Sequence, residues 1–460
     1  MNTPSDPSPK APVPSLVKAV NQHKGAEADK TDHSKITWRV LIVPGGTEIA
    51  LELRQALAWC KEVELYSAST SVSNHAPFVF AKHFYLPMAM ETGWLETLQQ
   101  IIQRESITHI FPAHDDVLLA LAENADKVNA KVVTSPLETC QITRSKQSTL
   151  HRLQAVVPTP RIFSGPAVVD SFPVFLKPDR GQGAQRTDCA RDAEELKALL
   201  RSDPDRIIVE FLPGREFTVD CFSDRERGLL YARGRERRRI RHGIAMESAF
   251  VPNECFYDYA VRISSELKFH GAWFFQVKED SQKQLRLLEV APRIGGTSCL
   301  SRVCGVNLPL LSLYESERIT VSIEAAGYIA SVDRALISRF RTDIVYRTIY
   351  LDFDDTLLVR GLVNTDLLRL LYQALNKGIR LVLLTRHSGN IPNTLKHYRL
   401  DSLFDEIIHL QPGELKATAI RDKEAVFIDD SFSECMAVHN ECSIPVFTPS
   451  MIEVLLDERL

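Results

Sequence analysis

Phe175-Leu176-Lys177-Pro178-Asp179-Arg180-Gly181-Gln182-Gly183-Ala184 sets a lysine at the end of an apolar run, then a proline, then a loop of small residues. Proline has no amide N–H and fixes its own φ, so it ends the strand and sets the turn. Backbone N–H groups of a glycine-containing loop can approach phosphate oxygens closely. Lys146 lies upstream in a polar stretch and supplies a second cation. The segment reads as a strand and loop that hold phosphate.

Downstream, Ile208-Val209-Glu210-Phe211-Leu212-Pro213-Gly214-Arg215-Glu216-Phe217 is a strand running into an apolar hinge. Such a hinge suits an adenine, whose edge pairs with backbone groups, and Glu216 is placed to accept from ribose hydroxyls. Leu287-Leu288-Glu289-Val290-Ala291-Pro292-Arg293 then puts a carboxylate four residues before an arginine. The carboxylate suits Mg2+, which takes oxygen ligands. The arginine suits a transferring phosphoryl group or an acyl phosphate.

Taken in order, these pieces resemble the ATP-grasp superfamily, and within it the carbamoyl-phosphate-synthase-like branch. The resemblance spans roughly residues 38–320 and includes Trp273-Phe274-Phe275-Gln276-Val277. It implies ATP with Mg2+ (or Mn2+) and a carboxylate–amine ligase working through an acyl phosphate. It also implies roles by position. Lys146 and Lys177 would hold nucleotide phosphates under the loop of Gly181 and Gly183. Glu210, Phe211 and Leu212 would form the purine hinge, and Glu216 the ribose contact. Gln276 and Glu289 would bind metal, and Arg293 would stabilise the phosphoryl group. One position departs from the family: Ala291 stands where asparagine is common, which leaves one Mg2+ ligand to water or missing.

The run Arg233-Gly234-Arg235-Glu236-Arg237-Arg238-Arg239-Ile240-Arg241-His242-Gly243 admits three readings. It has little aromatic interleaving, which weighs against a nucleic-acid patch. A solvated edge strand is the second reading. The third follows the family's R-x-R-x-x-x-G segment at the reaction centre. On a regular strand Arg239 and Arg241 point the same way, and they are the expected substrate clamp.

Toward the amino terminus, Trp38–Val43 reads as a strand, Pro44-Gly45-Gly46-Thr47 as a tight turn and Glu48–Trp59 as an amphipathic helix. That succession opens a doubly wound α/β unit. His114-Asp115-Asp116 follows another strand at the crevice end and reads mainly as a loop cap, with substrate contact as the alternative.

Toward the carboxyl terminus, Tyr350-Leu351-Asp352-Phe353-Asp354-Asp355-Thr356 follows an apolar strand. Two carboxylates at a strand end are costly unless a cation neutralises them. Leu381–Leu384 leads to Thr385, Ala425–Ile428 leads to Asp429-Asp430, and Lys416 lies on a helix upstream of that last strand. Parallel strands ending together would bring these groups to one crevice. The set resembles the haloacid-dehalogenase-like (HAD) superfamily over residues 346–460. That resemblance implies a Rossmann-like phosphatase domain in which Asp352 is the nucleophile and Asp354 the general acid/base. Thr385 and Lys416 would hold the phosphoryl oxygens. Asp352, Asp429 and the Asp354 carbonyl would bind Mg2+, with Asp430 as a further ligand or support. About thirty residues separate Asp352 from Thr385, and as many separate Thr385 from Lys416. Neither interval holds a large cap.

The expected organisation is a mixed α/β and α+β chain. A Pro- and Ser-rich tail covers residues 1–34, a pre-ATP-grasp unit 35–140, the ATP-grasp unit 141–330, a linker 331–344 and the HAD-like unit 345–460. The 460 residues are 44% hydrophobic and 25% charged, with a net charge of −4, so bulk charge gives no reason to expect nucleic-acid or membrane partners. Nine dispersed cysteines fit reduced thiols and a cytoplasmic setting. The expected partners are small molecules (a carboxylate, an amine and a phosphoester), with a homodimer as the default assembly. Against the bifunctional enzyme stands the alternative of a phosphatase regulated by a nucleotide-binding grasp unit.

Overall fold

The computed structural model describes residues 38–457 and 459, apart from 182, 184, 253, 326–330 and 341. The expected tail over 1–34 lies outside these. Two compact units are present, dividing between Ala335 and Leu336.

In the first unit, Trp38–Val43 (β1), Val63–Ser69 (β2), His83–Tyr85 (β3), His109–Pro112 (β4) and Lys131–Val132 (β5) form a parallel sheet ordered β3-β2-β1-β4-β5. β1 is apolar throughout Val40–Val43 because helices cover both of its faces: Val40 and Ile42 pack with Leu53 and Leu57, and Leu41 and Val43 with Leu98 and Ile102. The helix Glu48–Leu57 (α1) starts at Thr47, whose hydroxyl accepts from the Ala50 N–H at 3.1 Å. One core joins this layer to the rest of the unit: Leu53, Ala56 and Leu57 pack with Phe222, Ala272, Leu308 and Leu311. Residues on either side of position 140 thus pack within one compact unit.

Ile162–Phe163 (β6), Val174–Pro178 (β7), Asp188–Ala190 (β8) and Arg206–Glu210 (β9) make a small antiparallel sheet, β6-β9-β7-β8. Glu216–Asp224 (β10), Gly228–Arg241 (β11), Ile244–Phe250 (β12), Gly271–Glu279 (β13), Leu285–Ala291 (β14) and Ser331–Asp333 (β15) form a larger one, β14-β13-β10-β11-β12-β15. Phe217, Val219, Trp273 and Phe275 bury one face of that sheet against the helix Glu254–Glu266. Gly234 is needed there: a Cβ at this position would stand 2.5 Å from the Phe256 ring. Residues 331–333, expected in a linker, are instead an edge strand paired with β12.

The second unit is a parallel sheet of Thr348–Leu351 (β16), Arg380–Thr385 (β19), Glu406–His409 (β20), Ala425–Ile428 (β21) and Val446–Phe447 (β22), ordered β20-β19-β16-β21-β22. Between β16 and the helix Thr365–Asn376 lies only the hairpin of Leu358–Val359 (β17) and Leu362–Val363 (β18). Leu351 is the register partner of both Leu383 and Ile428, so the strands end level beside Asp352.

Candidate active sites

The open face of the large sheet in the first unit carries its polar side chains in three rows. Register sets Arg235 opposite Thr218, Thr218 opposite Gln276 and Gln276 opposite Glu289. Two positions along, Glu216 lies opposite Lys278, and the β10–β11 register carried one step past Phe217–Glu236 sets Arg237 on its other side. On the other side, Asp220 lies opposite Arg233 and Phe274. Paired residues share a face and the period is two, so these side chains converge. Arg237 ion-pairs with Glu216 and donates to Gln276 Oε1 at 2.9 Å. Arg235, fully buried, donates from Nε to Asp220 Oδ2 at 2.9 Å and also to Thr297.

A cleft lies between this face and the small sheet. Lys146, Lys177, Gly181, Gly183, Glu210, Phe211, Leu212, Glu216, Gln276 and Glu289, the candidate nucleotide and metal residues named above, all line it. Lys177 is buried, and its Nζ donates to the Leu288 carbonyl at 3.4 Å. Burial, reinforced by the Lys146 charge, pushes its ammonium down to about 8. Lys146 Nζ donates to the Gly181 carbonyl at 2.8 Å, tying it to the small-residue loop. The Glu210 side chain accepts from the Arg161 N–H at 3.1 Å and so is turned toward β6. A buried ammonium with no hydrogen bond to a carboxylate among the described residues, beside Gln276 and Glu289, fits an anionic ligand carrying Mg2+.

A second cavity adjoins the first, and Gly183, Arg237, Gln276 and Glu289 line both. Arg293 lines this second one, over the Phe274 ring. Its Nη2 donates to Asp115 Oδ2 at 3.0 Å, and its Nε contacts the other oxygen of the same carboxylate. Arg293 holds the Asp115 carboxyl below the ordinary range against the effect of burial. Asp115 opens the helix Asp115–Glu123, and His114 caps that helix by accepting from the Asp116 N–H. His114 is thus the cap, and Asp115 is the anchor of Arg293.

The expected clamp of Arg239 and Arg241 is not found. Register shifts on both sides of Arg239 break the alternation. Arg239 instead pairs with the exposed Asp333, and Arg241 sits exposed beside the hairpin turn His242-Gly243. The arginines of this strand that face the cavities are Arg235 and Arg237. Counting alternation back from Glu216 and Gln276, rather than from Gly243, would have found them.

In the second unit, Lys416 Nζ stands 2.6 Å from both Asp352 Oδ1 and Asp429 Oδ2. Burial, with Asp429 adding to it, pushes the Asp352 carboxyl up to about 6 although Lys416 opposes the shift. Burial likewise raises Asp429. Oxygens of Asp352, Asp429 and Asp430 lie within 4.8 Å of one another, a spacing that fits one divalent cation. The Asp354 side chain is not in that group: both its oxygens lie 2.9 Å from His387 Nδ1. Asp430 takes the third place, held through its N–H donating to Thr356 Oγ1 at 2.9 Å. Thr385 is buried at the end of β19 and accepts from the His387 N–H at 3.1 Å. The sequence reading gave His387 no role.

Residues 202–331 match the family described as "ATP-grasp in the biosynthetic pathway with Ter operon". Among solved structures, N5-carboxyaminoimidazole synthetase from Staphylococcus aureus, complexed with ADP, superposes with a TM-score of 0.52 at 14% identity, covering 63% of this chain and 80% of that one. The biotin carboxylase domain of the Hydrogenobacter thermophilus 2-oxoglutarate carboxylase, solved with MgADP and bicarbonate, gives 0.51 at 13% identity, covering 61% and 69%. Biotin carboxylase from Campylobacter jejuni gives 0.51 at 14%, covering 61% and 70%. No curated protein matches the sequence. The first unit therefore has an ATP-grasp-like fold within a mixed α/β architecture, and residues 202–331 match an ATP-grasp family. Among the described residues, no helix is long and apolar enough to cross a membrane.

Proposed function

We propose that the first unit is an ATP-dependent carboxylate–amine ligase. The observation that carries this is the single cleft gathering two lysines, a glycine loop, an apolar hinge and the Gln276–Glu289 pair. Lys146 and Lys177 hold the nucleotide phosphates, and the backbone of Glu210–Leu212 takes the adenine edge. Glu216 meets the ribose, exchanging part of its contact with Arg237 for the hydroxyls. Gln276 and Glu289 hold Mg2+, which neutralises charge on the phosphates. A substrate carboxylate oxygen attacks the γ-phosphorus and ADP leaves. Arg293, fixed by Asp115, steadies the phosphoryl oxygens. An amine nitrogen then attacks the acyl carbon, phosphate departs and the nitrogen loses its proton. ADP release measured over a panel of acids and amines tests this. Release that requires both substrates and is lost in Glu289→Gln supports it, and ADP release indifferent to any acid sinks it.

We propose the second unit as a HAD-like, Mg2+-dependent phosphohydrolase, on the strength of the Asp352–Lys416–Asp429 cluster. Asp352 attacks phosphorus and forms an aspartyl phosphate while Asp354 protonates the leaving oxygen. Asp354 then takes a proton from the water that releases phosphate. Thr385 and Lys416 bind the phosphoryl oxygens, and Asp352, Asp429, Asp430 and the Asp354 carbonyl hold Mg2+. Hydrolysis of a generic aryl phosphate by the full chain, absent in Asp352→Asn, is the test. Equal rates in both proteins reject it.

A further inference from the structure

Among the described residues, four arginines line the second cavity of the first unit: Arg235, Arg237, Arg293 and Arg334. Three are answered by carboxylates, namely Asp220, Glu216 and Asp115. Arg334 has no ion pair among the described residues, and its Nη1 is buried without a hydrogen-bond partner. Its backbone is fixed, because its N–H donates to the Met246 carbonyl at 2.8 Å and extends the β12–β15 pairing. Glu52, whose carboxyl feels the Arg334 charge, is already held by Arg302 at 2.8 and 3.3 Å. Two adjacent glycines border both guanidinium groups: a Cβ at Gly295 would meet Arg235 Nη2 at 2.8 Å, and one at Gly296 would lie 3.8 Å from Arg334 Nη1.

A guanidinium nitrogen buried without an acceptor is costly, and its planar fork matches a carboxylate. Arg334 lines only the second cavity, whereas Arg237, Gln276 and Glu289 line both. It therefore stands away from the end where the lysines gather. We propose that Arg334 receives a second carboxylate of the acid substrate, one that is not activated, so that the preferred substrate class is a diacid. This rests on the ligase reading above and names the substrate class of that site.

The test is calorimetric titration of the full chain, saturated with Mg2+ and a non-hydrolysable ATP analogue. The probes are succinate, glutarate and L-aspartate, each paired with its neutral counterpart succinamate, glutaramate or L-asparagine. We expect at least one diacid to bind about tenfold more tightly than its amide. Arg334→Gln should weaken that diacid by about tenfold and leave the amide unchanged, while Arg334→Lys retains part of the difference. Arg334→Lys also serves should Arg334→Gln fail to fold. Equal binding of diacid by wild type and Arg334→Gln, equal binding of diacid and amide, or no diacid bound at all would overturn the assignment. A diacid held through Arg334 that never provokes ADP release would instead overturn the ligase reading and leave the site standing.

Discussion

Gln276 and Glu289 are register partners across the antiparallel β13–β14 pair, with a bulge directly after Gln276. Pairing thus brings together two side chains thirteen positions apart in the sequence. The same row continues through Thr218 to Arg235, so four strands set the floor of the proposed nucleotide site. Rigid strands hold such groups more closely than loops would. Gln276 Oε1 meanwhile accepts from Arg237, which keeps its carbonyl oxygen turned toward the cleft.

Lys177 gives the nucleotide site a pH dependence. Its ammonium sits near 8, below the usual lysine value, because it is buried and lies beside Lys146. The positive charge of Lys177 is present below that pH and lost above it. Affinity for an ATP analogue should therefore fall as pH rises from 7 to 9. Lys177→Arg, charged throughout, should give a flat profile over the same range. Parallel titration curves for the two proteins would contradict the assignment.

The basic strand separates into structural and surface arginines. Arg235 and Asp220 are both fully buried, and removing the cation leaves an unpaired carboxylate inside the sheet. Arg235→Met should cost about 3 kcal/mol. Arg239 and Asp333 are about half exposed, so Arg239→Ala should change stability by less than about 0.5 kcal/mol. Denaturant melts of both variants check this, and similar losses would contradict it.

Much of this was legible in the sequence. The strands 38–43 and 425–428 are found as expected, since short apolar runs bounded by turn residues identify buried parallel strands. The cleft residues were legible because each motif places its polar group at a strand end or on a strand. Arg239 misled because a bulge cannot be read from a run of arginines, and one extra residue turns every later side chain to the other face. The Asp115–Arg293 pair joins positions 178 apart, which no local pattern reveals. Ser331–Asp333 is too short for its period to show, so Arg334 went unnoticed at its end.

In the second unit, Lys416 neutralises two carboxylates that share one crevice. Lys416→Met should lower stability by about 3 kcal/mol at pH 8. The folded Asp352 carboxyl, near 6, lies above its unfolded value of about 3.9. The folded unit therefore takes up a proton as pH falls through 6 and gains stability relative to the unfolded chain. Loss of Lys416 raises that carboxyl further, so the deficit should shrink toward pH 5. Mg2+ at pH 8 should restore part of the melting temperature. A deficit independent of both pH and Mg2+ would contradict a carboxylate cation site.

The most direct test of the ligase account is equilibrium titration of a non-hydrolysable ATP analogue into the full chain, with and without Mg2+, for wild type, Lys177→Met and Glu289→Gln. The account predicts Mg2+-enhanced binding in wild type, weakening of about tenfold or more in Lys177→Met and loss of the Mg2+ enhancement in Glu289→Gln. Absence of binding in wild type, or identical binding in all three proteins, would contradict it.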